Sequence, residues 1–199
     1  MIPRHLVIGV AVLLAITLGM SLYVWRMRAR VDRGDLSAAN SQAVAPPVSG
    51  PTEQVTLYVA YDDAGVLRPK PVRIPLPAGR QERASELLRA LLNIYLDKVS
   101  PHPLGAGSEI RDLYLVDPGL AVIDLNAAFA DNHRSGVLVE ELTVVSLVQT
   151  LSANIPGITR VRILVDGKER DTLAGHADLS NFYDAPAVTQ LAAQLQNAQ

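Results

Sequence analysis

The 199-residue sequence contains no cysteine, and this absence removes several kinds of chemistry at once. Without cysteine there is no disulfide framework, no thiolate nucleophile, no zinc–cysteine site and no thiol for lipidation. A chain without cysteine suits an oxidising compartment as well as a reducing one, so its absence does not locate the protein.

Most of the chain also lacks an excess of basic residues over acidic ones. Residues 1–50 contain five arginines and two aspartates, whereas residues 51–199 contain 13 basic and 18 acidic side chains. Binding to the phosphates of nucleic acids requires a basic face, so we predict no nucleic-acid partner. A modest acidic excess is typical of a soluble domain.

Several motifs of enzymes and metal sites are absent or incomplete. Gly105-x-Gly107 is too short for a dinucleotide fingerprint and follows no hydrophobic strand. Asp62-Asp63 lacks the spacing and the closing glutamate of a calcium-binding loop, and therefore indicates a turn. His102 lies between two prolines without a second histidine at ligand spacing. A catalytic triad could be arranged from His133, His176 and either Ser135 or Ser180. No Gly-x-Ser-x-Gly elbow accompanies these residues.

Scattered carboxylates leave an enzymatic alternative open. Asp124, Asp166 and Asp178 could serve a wall-acting enzyme, because glycoside hydrolysis needs two carboxyl groups about 5–10 Å apart. Asp124 is alternatively an outward carboxylate or one bonded to backbone. Glu140 and Glu141 point about 100° apart on a predicted helix, so we interpret them as complements to the helix dipole. We predict no catalytic, cofactor-binding or metal-binding residues.

Leu6–Trp25 is a run of 20 residues without a charge. As a helix it would span about 30 Å, the thickness of the hydrocarbon core of a bilayer. Tyr23 and Trp25 lie at its end, where aromatic side chains favour the membrane interface. The run is long for a signal peptide and no small-x-small cleavage site follows it directly, so we predict an uncleaved transmembrane anchor.

The residues that follow the run bear on its orientation. Arg4 precedes it, and four arginines follow it within residues 26–33. The positive-inside rule therefore favours a cytoplasmic C-terminal domain. From Val31 to Gln54 the chain is rich in serine, alanine, proline and glycine, and we predict a flexible tether.

The remaining residues predict a small α+β domain. Prolines 69, 71, 75 and 77 confine the second extended segment to an edge strand or a loop. The last helix, capped by Asp184, could dock on the domain, fray or bind a partner. In chain order the predicted elements are a strand at 55–61, an extended segment at 67–79, a helix at 81–99, a hairpin at 110–126, a helix and a strand within 136–167, and a helix at 185–199.

The helix after Gly136 has apolar residues on two faces, so we predict that it is sandwiched between other elements. Ser135 is its predicted N-cap. Arg160 and Arg162 on the strand after this helix are predicted to point outward. They are the best candidates in this segment for a functional surface. The first apolar face comprises Val137, Val144, Leu147, Val148, Leu151 and Ile155. The second apolar face comprises Leu138, Leu142 and Val145, and the remaining face carries Thr143, Ser146 and Thr150.

Four stretches of the sequence resemble the GerMN domain family. They are VTLYVAYDD at 55–63, RASELLRALL at 83–92, LYLVDPGLAVIDLNAAF at 113–129 and LTVVSLVQTLSANIPGITRVRILVDG at 142–167. The resemblance covers a single copy over residues 53–183. It implies a fold similar to the ring-building motifs of envelope complexes, and a non-enzymatic, extracytoplasmic role connected with the cell wall. The family has no accepted catalytic residues and this chain has no lipobox cysteine, so anchoring would rest on the N-terminal run.

These observations combine into an α+β fold in which two long helices pack on a small mixed or antiparallel sheet, preceded by a transmembrane helix. The predicted segments are an N-terminal tail at 1–5, an anchor at 6–25, a basic juxtamembrane segment and linker at 26–54, a GerMN-like domain at 55–183 and a C-terminal helix or tail at 184–199.

The predicted function is that of a non-enzymatic, single-pass envelope module with a scaffolding or protein-interaction role in cell-wall or sporulation-type complexes, without cofactors. Its partner would be another envelope protein, a second copy or peptidoglycan. The domain is predicted to face outward from the cytoplasmic membrane, although the arginines favour the opposite side. The alternatives are a cell-wall-acting or peptidoglycan-binding protein and a domain tethered in the cytosol.

Overall fold

A computed structural model describes Thr17 and residues 50–77, 79–116 and 118–197. Apart from Thr17, the predicted anchor at Leu6–Trp25 and the linker as far as residue 49 lie outside these residues. Within the part of the chain that is described, no helix is long and apolar enough to cross a membrane.

The described residues have a mixed α+β fold, as predicted, and the predicted elements occur in the predicted order. Helix α2 and strand β6 are short additions that no periodicity in the sequence indicates. The elements are β1 (Thr52–Tyr61), β2 (Val66–Pro75), α1 (Arg80–Tyr95), β3 (Ile110–Val116), β4 (Leu120–Leu125), α2 (Ala127–Asp131), α3 (Val137–Asn154), β5 (Arg160–Val165), β6 (Tyr183–Asp184) and α4 (Ala185–Asn197).

The described strands form two sheets, whereas the sequence predicts one. Strands β1 and β2 make a two-stranded antiparallel sheet, and the other four are ordered β3-β4-β5-β6. Strands β4 and β5 are parallel, and the other neighbours in this sheet are antiparallel. Because parallel neighbours need a long crossover connection, the chain between β4 and β5 contains α2 and α3.

Helix α3 is buried along most of its length, as its two apolar faces predict. Every residue from Leu142 to Leu151 is buried. The helix packs against α1, α4 and the two-stranded sheet. Only its first turn departs from the prediction, because Val137 and Leu138 are 65% and 44% exposed.

The third face of α3 is buried as well, because it bonds to the backbone of β1. The Tyr58 N–H donates to Thr150 Oγ1 over 3.0 Å, and Ser146 Oγ donates to the Tyr58 carbonyl over 2.6 Å. One turn beyond Thr150, the Asn154 amide donates to the Thr56 carbonyl over 2.7 Å. Helical side chains therefore occupy the place of a neighbouring strand along this edge of β1, which separates the two sheets.

The outer edge of β2 is closed to other strands by its prolines. Pro69 and Pro71 lie opposite Tyr58 and Thr56, whose backbone groups point away from β2 toward α3. By the alternation of an antiparallel ladder, both proline nitrogens face the outer edge of β2, where no N–H is needed. Pro75 follows the same alternation. The predicted edge strand is confirmed, and its missing donors protect the edge from pairing.

Three boundaries differ from the prediction. Helix α1 ends at Tyr95, and Val99 is 88% exposed, because the Asp97 side chain accepts the Val99 N–H and the chain turns. Strand β1 begins at Thr52, three residues inside the predicted linker, because those residues pair with β2. The N-cap of α3 is Gly136 and not Ser135, without a side-chain cap.

The C-terminal helix α4 docks on the domain, which was one of three outcomes left open. Val188 and Ala192 on its inner face are buried, and the helix packs against α3 and β2. Asp184 caps it as predicted, since its carboxylate accepts the Ala187 N–H over 2.9 Å.

We predict that Thr150→Val lowers the free energy of unfolding by about 1–3 kcal/mol, because the Tyr58 N–H is left without an acceptor in the core. Valine keeps the shape of threonine, so packing is preserved. Ser152→Ala on the same helix is the control, since Ser152 bonds within its own helix. Urea denaturation of both variants measures the difference, and equal midpoints would contradict the edge-covering role of Thr150.

Candidate functional site

A chain of buried polar side chains joins the end of β1 to the loop before β3 and to α3. The His102 ring lies 2.5 Å from Asp62 Oδ1 through Nδ1 and 2.7 Å from Thr143 Oγ1 through Nε2. His133 Nε2 lies 2.8 Å from the same hydroxyl. The order of acid, imidazole and hydroxyl is that of a nucleophile–base–acid triad.

The hydroxyl of this triad-like chain is sealed inside the fold. Thr143 is 0% exposed and His102 is 1% exposed. The Thr143 hydroxyl is also held by His133 and by the Val139 carbonyl, 3.0 Å away. A nucleophile must reach its substrate, and this one is enclosed by protein on every side. The arrangement therefore connects three segments of chain rather than presenting a reactive atom.

The two ends of this chain accept hydrogen bonds only: they are the Asp62 carboxylate and the Arg134 carbonyl, which bonds to His133 Nδ1. The Arg134 guanidinium lies 2.9 Å from the second oxygen of the Asp62 carboxylate and pairs with it.

Burial lowers the pKa of His133, and the charge of His102 lowers it further, while its bond to the Arg134 carbonyl opposes both. The lowered pKa favours the neutral imidazole of His133, as expected for a ring enclosed by protein.

Sequence patterns do not reveal this chain, because its members are far apart. His102 is 40 residues from Asp62 and 41 residues from Thr143. Asp62 lies in the turn predicted for it, and His102 has no partner at ligand spacing in the sequence. The available signal was Thr143 on the polar face of a helix predicted to be sandwiched between other elements, because a buried hydroxyl needs a polar partner.

Glu140 is fully buried and anchors the loop at 171–179 to α3. One carboxylate oxygen accepts the backbone N–H groups of Ala174, His176 and Ala177 over 2.9–3.0 Å. The other accepts the Gly136 N–H, 3.1 Å away, and the His176 ring N–H, 2.9 Å away. The bond from Gly136 also places a carboxylate at the N-terminus of α3, where the N-cap residue has no side-chain cap.

Burial alone would raise the pKa of Glu140, but the hydrogen bonds from His176, Ala177, Ala174 and Gly136 outweigh it and lower the pKa to about 2. The prediction that Glu140 has a structural role agrees with these contacts, although they reach far beyond the helix dipole. Glu141 bonds to none of these groups and lines a neighbouring groove.

The triad considered from the sequence does not assemble. Ser135 Oγ lies 3.4 Å from His176 Nδ1, but Glu140 contacts that same nitrogen, so no proton can pass through the ring from one to the other. His133 belongs instead to the Thr143 chain, and the Ser180 hydroxyl bonds to Asp178.

The three candidate aspartates serve different local structures. Asp124 is buried and accepts the Gly167 N–H over 2.7 Å, which agrees with a carboxylate bonded to backbone. Asp166 shares the Arg111 guanidinium with Asp124, at 3.0 Å and 4.0 Å. Asp178 bonds to Ser180 and Asn181 at a separate place, which lowers its pKa.

Of the two arginines predicted to point outward, only Arg160 is exposed. Arg162 is 7% exposed, because its guanidinium bonds to the Ser180 carbonyl and to Glu169 at 2.8 Å. Both guanidinium groups lie 5.2 Å from the centre of the Phe182 ring. The two arginines thus form a cation–π arrangement with Phe182 rather than a bare basic patch.

One face of the four-stranded sheet carries exposed apolar side chains. Register places Tyr114, Val122 and Arg162 in one row, with Val116 one row away and Phe182 over the arginines. We call this surface the outer face. Tyr114, Val116 and Phe182 are 52%, 47% and 51% exposed. Aromatic and arginine side chains are enriched where proteins bind one another.

Comparison with known proteins agrees with the fold. The family model Germane, described as sporulation and spore germination, matches residues 56–171. The tandem GerMN domains of the sporulation protein GerM from Bacillus subtilis are 18% identical, with a TM-score of 0.50, over 66% of this chain and 46% of that one. The search of curated proteins returned no match.

Two further solved structures are more distant in shape. The first GerMN domain of GerM from Bacillus subtilis is 18% identical with a TM-score of 0.43, over 64% of this chain and 92% of that one. A suspected lipoprotein from Clostridium perfringens is 18% identical with a TM-score of 0.45, over 70% of this chain and 91% of that one.

We predict that Glu140→Gln lowers the free energy of unfolding by about 2–4 kcal/mol at neutral pH, because an amide cannot accept all of these bonds. The folded pKa of about 2 lies below the ordinary value of 4.5, so the stabilisation is complete above pH 4.5. It is lost as the pH falls toward 2. Denaturation at several pH values should show the two proteins converging in acid. Glu141→Gln is the matched control, and parallel pH profiles would contradict the assignment.

Proposed function

The chain belongs to the sporulation and spore germination family, and on this premise we propose that it is a non-enzymatic, membrane-anchored module of the cell envelope that binds another protein. The observation that carries the proposal is the outer face, where exposed aromatic and aliphatic side chains lie beside two guanidinium groups. Such a surface is suited to a protein partner, since aromatic rings supply large contact areas at small entropic cost.

A non-enzymatic role is supported by the places of the reactive groups. The triad-like chain ends in a hydroxyl with no exposure, and the Asp124 carboxylate is bonded to backbone. Asp124 and Asp166 share a guanidinium, so this pair lacks the open space that a glycoside hydrolase needs between its carboxyl groups. A wall-acting enzyme is therefore the weaker alternative.

Membrane anchoring and an extracytoplasmic domain are parts of the proposal that rest on the sequence. Leu6–Trp25 has the length and composition of a spanning helix. The family resemblance favours the outer side of the membrane, while the arginines after the run favour the inner side.

Topology is tested by fusing alkaline phosphatase, which is active only outside the cytoplasm, to the C-terminus. We expect activity in the membrane fraction, and a fusion with the 6–25 run deleted is the control that should lose it. If the phosphatase fusion is inactive and a reporter that works only in the cytosol is active at the same position, the domain lies inside the cell.

The interaction role is tested by placing a photo-crosslinking amino acid at Phe182 in the full-length chain, within its native membrane. We expect an adduct with another envelope protein, and Val116→Asp in the same chain should reduce it at least fivefold, because a charge would be buried in the interface. Position 99 is the control, since Val99 is 88% exposed in another part of the domain. Equal adducts at both positions, or none at 182, would reject the outer face as a docking surface.

A further inference from the structure

We propose that the groove between α3 and α4 binds one lysine side chain of the partner protein. The aliphatic stem of this lysine lies on apolar side chains of both helices, and its ammonium group lies beside the carboxylates of Glu141 and Asp178. The inference rests on the proposed interaction role and adds a contact at a place other than the outer face.

The groove is open because α4 covers α3 only in part. Val188 and Ala192 of α4 are buried where the two helices pack, whereas Val137 in the first turn of α3 is 65% exposed. The loop at 171–179 and Tyr183 line the remaining side. The apolar walls consist of Val137, Val144 and Val145 of α3 and Val188 and Leu191 of α4.

The size of the groove matches one side chain rather than an element of structure. Its volume is about 280 Å³. Sites that take drug-sized ligands have volumes of roughly 300–1,000 Å³, so this groove lies just below them. Its apolar walls favour an aliphatic group, because apolar surface on both partners leaves water when they bind.

The rim of the groove carries two carboxylates, those of Glu141 on α3 and Asp178 in the 171–179 loop. Among the described residues neither carboxylate forms an ion pair, and the Asp178 side chain bonds to Ser180 and Asn181. No lysine or arginine of the described part of the chain lines the groove. The groove therefore combines an apolar interior with negative charge at its rim.

Two basic side chains lie near these carboxylates, and each is bonded elsewhere. His176 lines the groove, but its Nδ1 lies 2.9 Å from the carboxylate of Glu140, which offsets any charge on the ring. The charge of Arg162 acts on Asp178, but its guanidinium pairs with Glu169 at 2.8 Å. An excess of negative charge therefore remains for a cation from outside the domain.

Tyr183 shows that both carboxylates act at the same place. Burial, followed by the charges of Asp178 and Glu141, raises the pKa of the Tyr183 phenol to about 12. Since Tyr183 itself lines the groove, both negative charges reach the space that a bound cation would occupy. Charge complementarity thus identifies the occupant as a cation with an apolar stem.

A lysine side chain meets both requirements of the groove. Its aliphatic stem covers apolar surface while its charged group stays at the rim. The two carboxylates come from different elements, and an ammonium group has three donors that turn toward either of them. The planar guanidinium of arginine is matched instead to a single carboxylate. We therefore assign the groove to lysine.

The chemistry of the groove is tested by NMR on the full-length chain in detergent, with isotope-labelled valine and leucine methyl groups. The probes are N-acetyl-lysine N-methylamide and its norleucine analogue, which has the same stem without the ammonium. We expect the lysine probe to shift the signals of Val144, Val188 and Leu191 and to bind at least fivefold more tightly than the norleucine probe. Equal binding of both probes, or no shift with either, would overturn the proposal.

Glu141→Gln separates the charge from the apolar contact. We expect this variant to bind the lysine probe at least threefold more weakly and the norleucine probe equally well, because only the ammonium interacts with the carboxylate. Glu109→Gln is the matched control, at an exposed position outside the groove. If both variants bind the lysine probe alike, the cation does not lie beside Glu141 and the assignment is wrong.

The source of the lysine is tested with a photo-crosslinking amino acid at Val137, in the full-length chain within its native membrane. We expect an adduct with a segment of one envelope protein that contains a lysine. Changing that lysine to methionine should reduce the adduct at least fivefold, as should Glu141→Gln in this chain. An adduct with a segment without lysine, an adduct with a second copy of this chain, or no adduct would overturn the protein source.

The two interaction proposals fail in different ways. An adduct at Phe182 without a preference of the groove for the lysine probe would keep the interaction role and reject the lysine site. A preference for the lysine probe with an adduct at Val137 and none at Phe182 would keep the lysine site and reject the outer face. Absence of both adducts and of any preference would reject both.

Discussion

The contact between α3 and the backbone of β1 is the constraint on which the rest of the fold depends. A helix inside an apolar core cannot leave polar groups unbonded, and an interior strand cannot leave an edge unbonded either. Ser146, Thr150 and Asn154 meet both requirements by bonding to Tyr58 and Thr56. Because these bonds occupy the edge of β1, the second sheet forms elsewhere, and α1 contacts strands of both sheets.

Buried polar groups elsewhere in the domain follow the same logic. The Asp62–His102–Thr143–His133 chain ties the β1–β2 turn to two loops, and Glu140 ties the 171–179 loop to the start of α3. The first network contains the residue types of a hydrolase active site, and the second contains the backbone N–H groups of an anion-binding site. Burial decides their role, since a hydroxyl or a carboxylate with every bond satisfied by protein has none left for a substrate. The outer face of the four-stranded sheet remains exposed, and its apolar side chains suit a protein partner.

Local patterns predicted the elements well, for physical reasons that can be stated. The spacing of apolar residues in α3 predicts burial on several sides, and the prolines of β2 predict an edge strand. Asp184 predicts the start of a helix. The failures are equally specific. Ser135 resembled a cap, but the N-cap is Gly136, whose N–H bonds to the carboxylate of Glu140. Arg162 alternates with apolar neighbours as an outward residue does, yet Phe182, from a distant segment, covers it.

The sequence alone determined the class of the fold, the order of its main elements and the family, because these follow from periodicity and from turn chemistry within short windows. Tertiary structure decided the division into two sheets, the sealed triad-like chain and the bonding of the Gln81 side chain to the edge of β3. Each of these depends on bonds between residues 30 or more positions apart, such as Gln81 with Leu115 and Tyr58 with Thr150. A linear pattern shows which side chains can bond, whereas only the folded chain determines which of them meet and which face solvent.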